Sequence, residues 1–400
     1  MLSIRVTYIL LHLFEILLFY ISGRKMSHSI STSSYWRSSI WAFCAYFIVM
    51  GMRFGHNLDW NYYYLVYSYS EPLDLNTTEP LFNLFFYSCL KLGIPYYLTI
   101  AIKDTFFLFS FLLIAKHFKT GLCCTLPLIL VVAQMNDNYI RWYFAVSFLL
   151  LSLNSLLNEA KMHRLLAIVF FVCACLIHNG ALFFLVFLPF LKRNKLLFDT
   201  KISAILIFIS VFFISIGVME FVSRFGQVLF LLGGDSVSGA RVGHYLTQVD
   251  QITTKGWGST GIMTYTIWKK IMTYCSYLPV ILYAPLIMGR FKNGIIAYNV
   301  FLVGAFLNPF FSTVEIFDRY SMVLLFFHAI VGGPVYYLIL KKSNNLIIKF
   351  LCVLSLLSTF YPFYKYVFNT YAEYRMLYIW DAKNREYIDP DVYLIDMSKH

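Results

Sequence analysis

Apolar residues fall in blocks about 20 residues long, with polar residues gathered in short stretches between them. Blocks of that length predict membrane-spanning helices near 5–22, 38–52, 95–115, 121–137, 139–157, 200–219, 268–289, 295–314, 320–340 and 346–368. The interval 165–191, "LLAIVFFVCACLIHNGALFFLVFLPFL", does not fit this scheme. It is too long for one upright span, too short for two, and interrupted by His178, Asn179 and Gly180. A broken or re-entrant hairpin accommodates it. The pattern therefore predicts an all-α, polytopic membrane helix bundle of about 10 to 12 segments. It forms a single transmembrane domain over 1–368, with external loops at 53–94 and 220–262 and a polar tail over 369–400.

Composition agrees: of 400 residues 60% are hydrophobic and 13% charged, so most of the surface has to face lipid. The first block lacks a small-residue cleavage site and runs into the basic "SGRKMSHS", which marks it as a retained span. The 8 cysteines lie in or beside apolar runs without histidines at zinc-like spacing, and read as packing residues.

Charge then orients the bundle. One set of alternate loops holds Arg24, Lys25, Arg37, Lys116, Lys119, Lys161, Arg164, Lys192, Arg193, Lys195, Lys201, Arg290, Lys292, Lys341, Lys342 and Lys349. The other set holds most of the acids, among them Asp59, Glu79, Asp137, Asp250, Glu315 and Asp318. The positive-inside rule makes the first set cytoplasmic and both termini external. The net charge of +12 restates this bias and gives no reason to invoke a nucleic-acid partner. Glu15 reads as the only acid in the middle of a span, so the carboxylate chain of a proton-coupled pump is not expected.

With this topology, ionisable residues converge on the outer face. Arg141 in "MNDNYIRWYFAV" and Arg319 in "VEIFDRYSMVLL" are each expected in the first turn of an inward-running helix. A cation there opposes the helix dipole, by about 0.3–1 kcal/mol, unless an anion shares the site. Two such helix starts would clamp a diphosphate; the simpler alternative is that Arg141 pairs with Asp137 and Arg319 snorkels beside Asp318. Asp59, with Tyr62 and Tyr63 one turn on, would place a carboxylate over an aromatic surface suited to sugar rings. An interfacial aromatic belt with an Arg53–Asp59 ion pair explains the same residues. His178 sits at the costly polar break of the hairpin, as a site residue or a hydrogen-bonded core histidine. The long loop 224–261, with Arg241, His244 and Tyr245, reads as an external lid or substrate-binding loop, or as a solvated linker. Walker, Rossmann, zinc-protease and serine-hydrolase signatures are absent, as are the paired acids of a DxD motif, so any chemistry is expected to be metal-independent and free of cofactors.

The order "RFGHNLDWNYYYLVY", "EPLFNLFF", "YIRWYFAVSFLLLSL" and "CLIHNGALFF" resembles the EpsG-like, Wzy-type bacterial polysaccharide polymerases. Arg53, Gly55, Asp59, Tyr63, Glu79, Pro80, Ile140, Arg141, Ala145 and His178 match the family's motifs by position. Trp142 departs from them where the family has glutamine, and "FDRYSM" resembles a later arginine motif. The resemblance implies a GT-C-like enzyme joining oligosaccharide repeats carried on undecaprenyl diphosphate, at the outer face of the bacterial cytoplasmic (inner) membrane. Arg141 and Arg319 would hold the donor diphosphate, and Asp59 or His178 would orient or deprotonate the acceptor hydroxyl. Arg53, Tyr62, Tyr63, Glu79, Arg241, His244 and Tyr245 would contact substrate. The lipid bilayer and a chain-length regulator protein are the further candidate partners. An O-antigen ligase or other lipid-linked glycosyltransferase, a flippase for the same lipid-linked sugar, and a non-catalytic scaffold are the competing readings.

Overall fold

The computed structural model describes residues 2–54, 58–68, 79–134, 136, 139–158, 161–187, 194–213, 267–312, 315–368 and 376–381. Thirteen α-helices are described: α1 (Leu2–Ser27), α2 (Thr32–Tyr46), α3 (Leu58–Ser68), α4 (Pro80–Lys91), α5 (Tyr96–Ala115), α6 (Leu122–Val132), α7 (Ile140–Leu157), α8 (Lys161–Ile177), α9 (Thr200–Phe213), α10 (Ile267–Met288), α11 (Gly294–Phe311), α12 (Glu315–Lys342) and α13 (Leu346–Phe368). Among the described residues, 7 helices are long and apolar enough to cross a membrane, and three shorter apolar helices lie at 122–132, 162–177 and 200–213. The chain is thus a polytopic helical membrane protein. The external loop expected at 220–262, with Arg241, His244 and Tyr245, lies outside the described residues.

The second span begins earlier than hydropathy suggests, because Ser31 caps α2 by accepting the Ser34 amide at 3.0 Å. It continues through a π-helical turn, Phe47–Gly51, which ends where a Cβ on Gly51 would lie 2.6 Å from the Cα of Ala101 in α5. Only glycine permits that approach.

The loops rich in lysine and arginine meet at one end of the bundle. Lys119 Nζ donates to the Ser29 carbonyl at 3.3 Å, and the Leu122 amide donates to Ser27 Oγ at 3.1 Å. His117 meets Asn154 at 3.0 Å, and Asn293 Nδ2 donates to the Leu157 carbonyl at 3.0 Å. The opposite end joins Phe54 to Leu377, Glu79 to Arg141 and Arg319 to Tyr139. The charge asymmetry read along the chain is therefore an asymmetry between two ends of one body.

The interval 161–187 is a hairpin whose apex reaches the second end. Helix α8 has 17 residues, about 25 Å at the usual rise, against a hydrocarbon core of about 30 Å. It breaks at His178, and the chain returns as a 3₁₀-helix, Asn179–Phe187. Phe183 packs on Phe311 at the end of α11 (6.2 Å) and on Tyr320 of α12 (4.4 Å). Residues 195–197 bind Asn299, near the opposite end of α11: its Nδ2 donates to the Lys195 carbonyl at 2.9 Å, and its Oδ1 accepts the Leu197 amide at 3.3 Å. A 3₁₀ run of this length is unusual, and it brings the polar break to the end of the bundle opposite the basic loops.

One expectation is corrected. Glu15 is not the only acid inside a span, since Asp104 lies fully buried in α5 beside the equally buried Lys103. The two form an ion pair, which keeps their cost in the apolar interior tolerable.

Candidate functional site

The start of α7 is the point on which the elements at the end opposite the basic loops converge. The turn leading into it is fixed from below by Lys103, whose ammonium donates to the Asn136 carbonyl oxygen (3.1 Å) and Oδ1 (2.9 Å). Asn136 Nδ2 in turn donates to the Tyr46 hydroxyl at 2.8 Å. Sequence reading missed this support, although the pair Lys103–Asp104 stands out in "IAIKDTFF" once span averages are set aside.

Arg141 is the second residue of α7 and forms an ion pair with Glu79. Its guanidinium carbon lies 5.2 Å from the centre of the Tyr63 ring. The Arg141 side chain is 29% exposed, so the pair is partly open, yet Arg141 Nε is buried and has no hydrogen-bond partner among the described residues. The anion that a cation needs at a helix N-terminus is thus supplied by the protein itself. Its source is Glu79; Asp137, the neighbour expected to pair, lies outside the described residues. Glu79 occupies the N-cap position of α4, with Pro80 first in the helix, but its carboxylate does not cap that helix.

Arg319 comes one turn later in its helix than expected, because α12 begins at Glu315. Its guanidinium lies 4.3 Å from the centre of the Tyr139 ring, a cation–π contact just ahead of α7. Arg141 faces α3 and α4, whereas Arg319 faces α7 through Tyr139. The two arginines flank the α7 start, each on its own aromatic partner.

His178 completes the group. The Gly180 amide donates to His178 Nδ1 at 3.0 Å, which leaves the ring proton on Nε2. The ring meets Trp142 edge-on at 5.0 Å, and Trp142, almost fully buried, also meets Tyr320 edge-on at 5.3 Å. Trp142 is therefore a packing hub tying α7 to the hairpin and α12. A Cβ on Gly180 would lie 2.9 Å from the Tyr320 hydroxyl and 3.0 Å from His178 Nδ1, so a larger residue at the break has to push those side chains aside.

The other expected residues separate. Tyr63 is buried against Phe82, with ring centres 5.4 Å apart, whereas Tyr62 is 58% exposed. Asp59 lies in α3 one turn before Tyr63; its side chain is outside the description. Arg53, expected to contact substrate, is 1% exposed and belongs to the interior. Its Nη1 donates to the Tyr366 hydroxyl at 2.6 Å and its Nη2 to the Tyr8 hydroxyl at 2.7 Å, with both rings also lying beside the guanidinium. Main-chain bonds fasten the same residue to a C-terminal strap: Phe54 N–H to Leu377 O at 3.1 Å and Ile379 N–H to Met52 O at 3.2 Å, around an antiparallel bridge between Arg53 and Tyr378. Among the described residues no three His, Cys, Asp or Glu side chains gather to hold a metal ion.

No curated protein and no solved structure gives a match to this chain. The model of the EpsG family matches residues 37–376, a stretch that includes α3, the Glu79–Arg141 pair, the hairpin, Arg319 and the start of the strap. With that match over most of a helical membrane chain, this protein belongs to the EpsG family of polysaccharide-polymerase-like membrane proteins.

Proposed function

We propose that the protein is a glycosyltransferase that joins lipid-diphosphate-linked oligosaccharide repeats into a surface polysaccharide. The carrier is taken as undecaprenyl diphosphate, and the reaction as occurring at the outer face of the bacterial cytoplasmic membrane. The observation that carries this reading is the gathering of Arg141, Arg319 and His178 around the first turn of α7, at the end away from the basic loops. A glycosyl diphosphate departs with two phosphates' worth of negative charge. Guanidinium groups and helix N–H groups already in place stabilise that departure without reorganising, an effect of about 10²–10³ in rate per donor.

In this reading the acceptor hydroxyl attacks the anomeric carbon directly and inverts it. His178 presents Nε2–H, so it donates a hydrogen bond to a phosphate or sugar oxygen; with Nδ1 already accepting from Gly180, the ring has no bare nitrogen for the acceptor's proton. Tyr62 offers an exposed ring for a sugar face, and Arg241, His244 and Tyr245 belong to the external loop proposed to cover the substrates. Arg53 acts through the fold and leaves the substrate contacts to others.

The test is incubation of the purified protein, in vesicles, with a lipid-diphosphate oligosaccharide, followed by gel analysis of the glycan. Longer products are expected. Movement of the lipid across the bilayer without elongation would replace this reading with that of a flippase.

A further inference from the structure

The Glu79–Arg141 pair poses a problem that the proposed reaction has to solve. A diphosphate can reach Arg141 fully only if Glu79 yields, and a carboxylate held against a guanidinium is a poor base. Both difficulties disappear together if the substrate trades places with Glu79.

We propose that Glu79 is the general base of this reaction, held inactive by Arg141 until the donor's diphosphate takes over the guanidinium. The inference rests on the polymerase reading above, and four observations support it. The Glu79 carboxylate does not cap its own helix, so its exchange does not unwind the start of α4. The partners are 62 positions apart on separate helices, and the pair is partly open through the 29% exposed Arg141. Arg141 Nε is a buried donor with no partner among the described residues, a spare hydrogen bond for a second anionic oxygen. Tyr63 covers the guanidinium face, which leaves its edge as the way in for an anion. Of the two bases expected from the sequence, His178 has its Nδ1 occupied by the Gly180 hydrogen bond, and Asp59 has its side chain outside the described residues.

The step balances. The acceptor oxygen bonds to the anomeric carbon, and the bond from that carbon to the diphosphate oxygen breaks, its electron pair leaving with the lipid diphosphate. The acceptor's proton passes to the freed Glu79 carboxylate. When the lipid diphosphate departs, Glu79 returns the proton to water and closes again on Arg141. An empty site thus holds its base in check, and a filled one releases it.

The experiment compares wild type, Glu79→Gln, Glu79→Asp and Arg141→Ala in vesicles, using one synthetic lipid-diphosphate oligosaccharide as probe for both binding and single-turnover elongation. Glu79→Gln is expected to bind the probe as tightly as wild type or tighter, and to elongate about 10²–10⁴ times more slowly. Glu79→Asp, which keeps the charge but shortens its reach, is expected to lower kcat about tenfold while leaving KM near wild type. Arg141→Ala is expected to lose binding. Elongation by Glu79→Gln within a few-fold of wild type overturns the proposal, and so does a loss of probe binding in Glu79→Gln as large as that in Arg141→Ala. If Glu79→Gln does not fold, full activity in Glu79→Asp overturns it instead. Failure of wild type to elongate at all removes the polymerase reading; an active wild type with an active Glu79→Gln removes this inference alone.

Discussion

Arg53 and Arg141 both stand at the end of the bundle opposite the basic loops with tyrosines around them, and the structure treats them in opposite ways. Arg53 is sealed in, held by two neutral hydroxyls and by the main chain of the strap, with Glu15 within electrostatic range. Arg141 is paired to a carboxylate and partly open. Neutral ligands in a closed site have nothing to exchange with, so the Arg53 cluster is a joint. A charged ligand at an open site can be replaced by a stronger anion, so the Arg141 cluster is suited to binding. The partner and the exposure, more than the residue type, separate an arginine that closes a joint from one open to exchange.

The largest effect that bears on this contrast is expected from Arg53→Met. Taking the guanidinium away deprives the Tyr8 and Tyr366 hydroxyls of their Arg53 donors, at about 1–3 kcal/mol each, so the variant should be recovered in lower yield or melt well below wild type in detergent. Arg53→Lys should not restore it, because a single ammonium does not reproduce a fork reaching two hydroxyls. An unchanged melting profile for Arg53→Met would show that Arg53 is not a structural joint. Arg141→Ala removes the ion-pair partner of the nearly buried Glu79 carboxylate and so also loses some stability, but its larger effect is expected in elongation, which falls about 10²–10³-fold, measured by the glycan ladder of the purified protein. Gly180→Ala is expected to cost about 1–3 kcal/mol through its collision with the Tyr320 hydroxyl, and Tyr320→Phe in the same chain should recover part of that loss in a thermal-melt cycle.

The smallest effect concerns the strap. Burial pushes the Tyr378 phenol above its ordinary value, although nearby Arg53 pulls the other way. A folded value above the unfolded one means that the protonated phenol favours the fold. The strap's contribution is therefore complete below about pH 10, the ordinary tyrosine value, and is lost as pH rises through the higher folded value. Subtracting the absorbance titration of Tyr378→Phe from that of wild type should reveal one phenol ionising later than the exposed tyrosines.

Much of this architecture is readable along the chain because its rules are local. A block of about 20 apolar residues is a span wherever it occurs, and lysines between blocks sort to one side. The hairpin break at "IHNG" was legible for the same reason. Arg141 and Glu79 were each visible as motif residues, but their pairing across 62 positions was not, since only the packing of α4 beside α7 creates it. Arg53 misled because its partners, Tyr8 and Tyr366, lie 45 and 313 positions away, and nothing nearby announces that it will be enclosed. Lys103 and Asp104 were lost in the averaging that finds spans, which passes over two opposite charges inside twenty greasy residues. Arg319 shifted by a turn because α12 starts before its apolar block does.

The fastening of Arg53 also sets an order of assembly. Its first hydroxyl partner is made before it, at Tyr8, but Tyr366 and the bridge at Tyr378 emerge from the ribosome more than three hundred residues later. Until then the guanidinium lacks its Tyr366 ligand and the strand bridge to Tyr378, so the joint between early and late helices closes only when the late ones arrive. A translation product halted before residue 376 would carry that unfinished seam, a ready mark for the proteases that clear defective membrane chains.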